Sequence, residues 1–443
     1  MCKSWPKPID NENIRTSVVI WISLKLGTNC TKVWTLLMKK QMEWLESSID
    51  TFYSLSSWYL GSAMTSCYML YYLFEVVKKP IIATNPKGKF SEFIEKNMPL
   101  LKEKFWPTLW CIESRAQTII ASFVRVSFIP VISYKREILT LKDGGEVCLD
   151  CLEPKEGSPS NTATIIVLPG LTGSSSSDYV KGLALMASDL GIRIIVFNQR
   201  GIGIRIKTPR TYCAANCEDL IEVIDHVKAK YEGSLLGAVG ISMGGLILGN
   251  YLSSAEGVKT PLSCAMIISV PWNVHIGTQS IETPVLNMLL NRHLASGLCN
   301  IVRSMRTVLD TGKYVFDDIL KSKTIREFDS KYTVKQFGYK DVTDYYNHAT
   351  IHNKIHKVTI PVLCLSSADD PFQPIEGIPL DEAYKMDNLC IVVTSRGGHI
   401  GFMEGICPIN KEQYMYRIFG KYFKTMLLED GVKHFKKEED VLI

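Results

Sequence analysis

The sequence predicts an α/β protein: a mostly parallel, doubly wound sheet with a helical cap inserted over its carboxyl edge. Two observations carry this. Short apolar runs without polar alternation recur at 164–168, 193–198, 235–240, 264–270, 362–366 and 389–394, as strands buried on both faces of a parallel sheet require. Helical stretches separate them, and a βαβα order places helices on both faces of such a sheet. A Rossmann-type domain shares the alternation, but no G-x-G-x-x-G follows the first parallel strand at 164–168.

From the N-terminus, residues 1–50 form a segment without a secretory pattern, because Pro6, Pro8, Asp10 and Glu12 interrupt any short apolar stretch. Asn29-Cys30-Thr31 matches a glycosylation sequon, of consequence only on the lumenal side of a membrane. No Asp, Glu, Lys, Arg or His occurs over 51–74, and Asp50, Glu75, Lys78 and Lys79 bound the run. Its length suits a bilayer-spanning helix, and Trp58, Tyr59, Tyr68, Tyr71 and Tyr72 suit membrane interfaces, so 51–77 is expected to be a transmembrane anchor. Ser54, Ser56, Ser57, Ser62, Thr65 and Ser66 dilute the run, which leaves a buried or interfacial helix as the alternative.

Residues 78–132, punctuated by Pro86, Pro99 and Pro107, read as a membrane-proximal linker with a short helix or two. The regular domain is expected over 133–430, beginning with strands at 134–141 and 147–152 joined through Asp143-Gly144-Gly145. Asn216 is the expected N-cap of a helix whose apolar face is Leu220, Ile221, Ile224 and Val227. The interval 272–357 breaks the alternation and reads as the cap insertion. Within it Leu286, Leu289, Leu290, Leu294 and Leu298 suit either an acyl-chain-binding lid or ordinary packing on the domain body. Residues 431–443 form a charged tail.

Composition excludes some partners. The net charge of +5 arises from 50 basic and 45 acidic residues spread along the chain, so no basic block is available to follow a phosphate backbone and nucleic acid is not an expected partner. Thirteen cysteines at irregular spacing argue for a mostly reduced, cytosol-facing protein rather than a disulfide scaffold. Cys148/Cys151 and Cys213/Cys217 are poor zinc candidates. The first pair sits on a strand, where three-residue spacing points side chains to opposite faces, and partner histidines are missing. No metal or cofactor is expected.

Gly240-Ile241-Ser242-Met243-Gly244 has the G-x-S-x-G form. By composition alone that pattern arises in about one chain in seven of this length, so its context matters more: it follows a strand and opens a helix, as a nucleophile elbow does. A free serine is a poor nucleophile and needs a base oriented by a third group. His399, within Gly398-His399-Ile400-Gly401 after the last strand, is the candidate base. The acid should lie between serine and histidine after a strand, where Asp369 and Asp370 compete; Asp370, with Phe372 and Pro374 beyond it, is favoured. The other aspartate is expected to cap its own turn. Backbone N–H groups of Met243 and Leu171 are the candidate oxyanion donors. Leu171 lies in a glycine-rich stretch, 168–173, with no lysine after it for a phosphate loop.

Together these motifs resemble the animal α/β-hydrolase domain-containing proteins 1, 2 and 3, which are related to yeast ethyl-ester synthase/esterases; members 1 and 3 are nearest. The resemblance covers about 78–428 and rests on LPGLTG at 168–173, NQRG at 198–201, TPRTYCAAN at 208–216, GISMGG at 240–245, IREFD at 325–329, FGYKD at 337–341, ADDPF at 368–372 and GGHIGFMEG at 397–405. It implies the α/β-hydrolase fold, Ser242, Asp370 and His399 as the charge-relay residues, and a single-pass type II anchor in the endoplasmic reticulum or another internal membrane. That topology would leave the sequon cytosolic. Pro169 stands where most of the wider family has histidine, and Arg200-Gly201 is expected to brace the oxyanion loop. The residues alone specify an acyl ester; the resemblance implies phospholipase A-type cleavage of glycerophospholipids. Alternatives are a monoacylglycerol lipase, a short-chain esterase, an acyltransferase, or a non-catalytic lipid-binding protein.

Overall fold

The computed structural model describes residues 30–54, 57–155, 161–409 and 413–435. Asn29 of the sequon and residues 436–443 of the charged tail lie outside them. The chain divides between Tyr71 and Tyr72 into two units.

The described part of the first unit holds helices α1 (Cys30–Ser54) and α2 (Ser57–Tyr71). No helix of the described residues is long and apolar enough to cross a membrane, which corrects the anchor expected over 51–77. The uncharged run is shared out instead. Its start ends α1, and α2 has 15 residues, about 22 Å of helix against a hydrocarbon core of about 30 Å. The remainder, Tyr72–Val76, is a π-helical turn of the second unit, where Tyr72, Val76 and Val77 are buried beside Leu109 and Ile112. The serines and threonines that dilute the run hold down its mean hydropathy.

The second unit is built on a nine-stranded sheet: β1 (Ile81–Ala83), β2 (Lys135–Thr140), β3 (Glu146–Leu152), β4 (Thr164–Leu168), β5 (Arg193–Asn198), β6 (Leu236–Ile241), β7 (Cys264–Ile268), β8 (Val362–Ser367) and β9 (Leu389–Thr394), in the spatial order β1-β9-β8-β7-β6-β4-β5-β3-β2. The strands from β4 to β9 run parallel, while β1 on β9 and the pairs β2–β3 and β3–β5 are antiparallel. Every residue of β4 to β9 is buried, whereas the edge strand β2 is exposed or half-buried throughout. Strand order reverses around β4, so β4 and β6 flank the switch point at which doubly wound sheets open a crevice at their carboxyl ends.

The stretch 78–132 is not a free linker. It contributes β1, helix α3 (Lys89–Asn97) and helix α4 (Ser114–Phe128), and Phe90, Phe93, Leu101 and Phe105 are buried with Val239, Phe419 and Phe423 in one cluster. A three-residue strand has no readable period, which is why the sequence did not reveal β1. Helices α5 (Asp178–Asp189), α6 (Glu218–Lys230) and α7 (Met243–Leu252) follow β4, β5 and β6. Asn216 falls one residue short of the predicted role: Cys217 is the N-cap of α6, and the Glu218 amide donates to Asn216 Oδ1 at 3.2 Å.

After β7 the chain leaves the sheet for α8 (Val274–Ile281), α9 (Leu286–Ser304), several short helical turns and α10 (Val342–Ala349). The insertion departs and rejoins at one place, since the amides of Ile351 and His352 both donate to the carbonyl of Trp272. Helix α11 (Tyr414–Leu428) joins α3 and α5 over one face of the sheet, and α6, α7 and α10 pack over the other.

Candidate active site

Ser242 stands between β6 and α7 with φ 52° and ψ −118°, a conformation that costs a non-glycine residue free energy and recurs where structure over-determines it. The flanking glycines are needed for space. A Cβ on Gly240 would lie 2.5 Å from the carbonyl oxygen of Gly244, and one on Gly244 would lie 2.1 Å from that of Leu168. The turn therefore closes tightly against the end of β4 and lifts the serine hydroxyl into the crevice.

His399 and Asp370 arrive from the ends of β9 and β8. His399 Nε2 is 2.8 Å from Ser242 Oγ, and His399 Nδ1 is 2.9 and 3.1 Å from the two carboxylate oxygens of Asp370. With the proton on Nδ1 donated to the carboxylate, Nε2 is left to accept from the serine. Asp370 is 5% and His399 9% exposed, so little water competes for these bonds. The Phe372 amide donates to Asp370 Oδ1 at 2.7 Å, and the Phe372 ring lies 4.2 Å from the imidazole.

The two adjacent aspartates have different duties. Asp369 turns away from the imidazole and accepts the Gly398 amide at 3.0 Å, so it supports the histidine loop rather than capping its own turn as predicted. Burial pushes the carboxyl up to about 6.

The turn 170–173 follows β4. The Gly173 amide donates to the Gly170 carbonyl, the Gly170 amide donates to the Tyr179 hydroxyl at 2.9 Å, and the Thr172 backbone bonds the Tyr212 hydroxyl. Those bonds use the turn's other amides, and among the described residues Leu171 N–H has no partner. Met243 is the first residue of α7, whose amide has no intrahelical acceptor. Leu171, Met243, Ser242 and His399 line one cavity of about 850 Å³. Tyr179 and Tyr212 were not singled out from the sequence; only Tyr212, inside the 208–216 motif, carried a signal there.

The leucines of α9 pack within the insertion and along the cavity. Ala295, Leu298, Cys299 and Val302 of α9 are buried, the last three packing against Phe316, Ile319 and Phe328, while Leu286, Leu289, Leu290 and Leu294 line the cavity. Asp329 lies on the same cavity, buried, accepting from Thr333 Oγ1 at 2.7 Å and the Tyr346 hydroxyl at 3.1 Å; burial pushes its carboxyl up to about 7. Arg200 does not brace the oxyanion turn. Its buried guanidinium pairs with Asp219 and Asp143, tying α6 to the β2–β3 turn. Among the described residues no group of three or more His, Cys, Asp or Glu is placed to hold a metal ion.

Known proteins share this arrangement's sequence. A family model described as the alpha/beta hydrolase fold matches residues 163–292. A protein named phospholipase ABHD3 from Bos taurus is 40% identical over 81% of this chain and 87% of its own length. Protein abhd-3.2 of Caenorhabditis elegans is 34% identical over 73% of this chain and 85% of its own. A monoacylglycerol lipase of Saccharomyces cerevisiae is 26% identical, with 72% and 81% covered. With a relative this similar across four fifths of its length, the chain belongs to the α/β-hydrolase domain-containing family.

Proposed function

We propose that this chain is a serine hydrolase of lipid esters that removes one fatty acyl chain from glycerophospholipids, as a phospholipase A does. The observation that carries the reading is the hydrogen-bonded series Ser242–His399–Asp370 opening onto an apolar-lined cavity of about 850 Å³. Ser242 Oγ attacks the ester carbonyl as its proton passes to His399 Nε2, and Asp370 stabilises the imidazolium. Charge on the tetrahedral oxygen is met by the amides of Leu171 and Met243, each such donor contributing about 3 kcal/mol. Collapse expels the lysolipid alkoxide, which takes the proton from His399. Water, activated by the same base, then clears the acyl-enzyme.

The phospholipid assignment is supported by the relatives named phospholipase ABHD3. The more distant relatives named monoacylglycerol lipase favour a second reading, a smaller glyceride as acyl donor. Acyl transfer to an alcohol in place of water uses the same residues. The proposal includes work at an internal membrane, with the first unit as the attachment: Leu36, Trp44, Trp58, Tyr59 and Met64 stand exposed on α1 and α2, as a surface-binding segment requires.

The test compares membranes incubated with the wild type and with Ser242→Ala. Lysophospholipid and free fatty acid should rise with the wild type alone, and kcat should fall by roughly 10⁶-fold in the variant. Unchanged phospholipids alongside intact fluorophosphonate labelling of Ser242 would reject the phospholipase and turn attention to monoacylglycerols. Equal labelling of Ser242→Ala would reject the serine hydrolase. Recovery of the full-length chain free of membranes would reject attachment.

A further inference from the structure

Helix α4 reaches the candidate site from outside the sheet, and one of its side chains touches both the histidine loop and the first residue of α5. We propose that Arg125 is a positioning residue that holds the histidine loop and the oxyanion turn in register; the inference rests on the serine-hydrolase reading and deepens it.

The loop that carries His399 is strained. Ile400 and Phe402 have φ of 63° and 46°, and non-glycine residues at such angles persist only where their surroundings fix them. Arg125, 5% exposed, supplies that constraint. Its Nη2 donates to the carbonyl oxygens of Ile400 and, at 2.5 Å, Gly401. On its other side Nη1 donates to Asp178 Oδ2 at 3.2 Å, and Ser122 of the same helix donates to Asp178 Oδ1 at 3.0 Å. Asp178 opens α5, and the next residue, Tyr179, accepts the Gly170 amide at the head of the turn that presents Leu171. The guanidinium thus connects His399, through the adjoining Ile400, to Leu171, through Asp178, its neighbour Tyr179 and the Tyr179 hydrogen bond to Gly170. Its planar fork satisfies two carbonyls and a carboxylate together; an ammonium keeps the charge without that geometry.

The experiment uses full-length Arg125→Gln, Arg125→Lys and Asp178→Asn, assayed with p-nitrophenyl butyrate and with a fluorophosphonate probe. For Arg125→Gln kcat should fall roughly 100-fold, as small displacements of reacting groups do, with KM little changed and the labelling rate down in proportion. Arg125→Lys should recover part of the loss. Asp178→Asn leaves the bonds to the loop and weakens the link to the turn, so it should lose activity to an intermediate degree; it decides the matter if Arg125→Gln does not fold. Wild-type kcat and labelling in folded Arg125→Gln, or in both Arg125→Lys and Asp178→Asn, would overturn the proposal, as would a loss confined to KM. A wild type whose Ser242 takes no label would instead sink the hydrolase reading itself.

Discussion

The sheet and the segments laid over it follow different rules. From β4 to β9 every residue is buried, so the strand interiors are apolar and the buried polar residues Thr164, Arg193, Asn198, Ser366, Ser367 and Thr394 sit at strand ends. The ends of four of these strands, β4, β6, β8 and β9, then carry the parts of the candidate site: the 170–173 turn, Ser242, Asp370 and His399. The segment 72–132 and the insertion 272–357 are only partly apolar, and their helices acquire meaning from what they touch. Thr118 of α4 accepts the His399 amide at 2.9 Å, and α9 both packs within the cap and lines the cavity. The sheet sets where Ser242, Asp370 and His399 stand; the overlay sets how firmly they are held and what lines the cavity beside them.

That division can be broken most sharply at the sheet's edge. Asp370→Asn should lower kcat by roughly 10⁴-fold without unfolding the chain, because the imidazole loses the carboxylate that orients it. Asp369→Asn keeps an acceptor for the Gly398 amide and should cost a few-fold at most. Equal losses in steady-state kinetics would mean that the two carboxylates do not divide the work.

A smaller effect is expected at the seam between sheet and overlay. Gly398 has φ 56°, and a Cβ there would lie 2.3 Å from the carbonyl oxygen of Ser114 on α4. Gly398→Ala should destabilise the second unit by about 1–3 kcal/mol, read as a lower unfolding midpoint. An unchanged midpoint would show that α4 yields easily and is no firm support.

The smallest effect belongs to the cap. The Asp329 carboxyl sits at about 7 in the folded chain against 3.8 for the free group, so it keeps its proton in the native state where the unfolded chain has lost it. Its stabilising contribution is full below about pH 4 and is lost as pH rises toward 7. Melting temperatures of wild type and Asp329→Asn should therefore diverge over that interval, the wild type losing ground. Parallel curves would place the carboxyl in water rather than in the cap's interior.

Much of this was legible early. The parallel strands were located to within one or two residues because burial on both faces favours apolar side chains along the strand interiors. The serine elbow was readable because Gly240 and Gly244 are the residues that its close approaches allow. Ile81–Ala83 was not, being three residues paired only to β9. The uncharged run at 51–74 misled for a related reason: the absence of charge is a local property, whereas Tyr72, Val76 and Val77 avoid water by packing on Leu109 and Ile112.

What the sequence determined by itself was the kind of fold and the candidate serine, histidine and pair of aspartates, since periodicity, glycine spacing and chain order are local consequences of backbone sterics and burial. Only the tertiary structure decided which of two adjacent aspartates meets the imidazole, which amide of the 170–173 turn is, among the described residues, left without a partner, and that an arginine about 275 residues before the histidine loop grips it. Those outcomes depend on directions of side chains from segments far apart in the chain, and hydrogen bonds between them are fixed by geometry that no local pattern encodes.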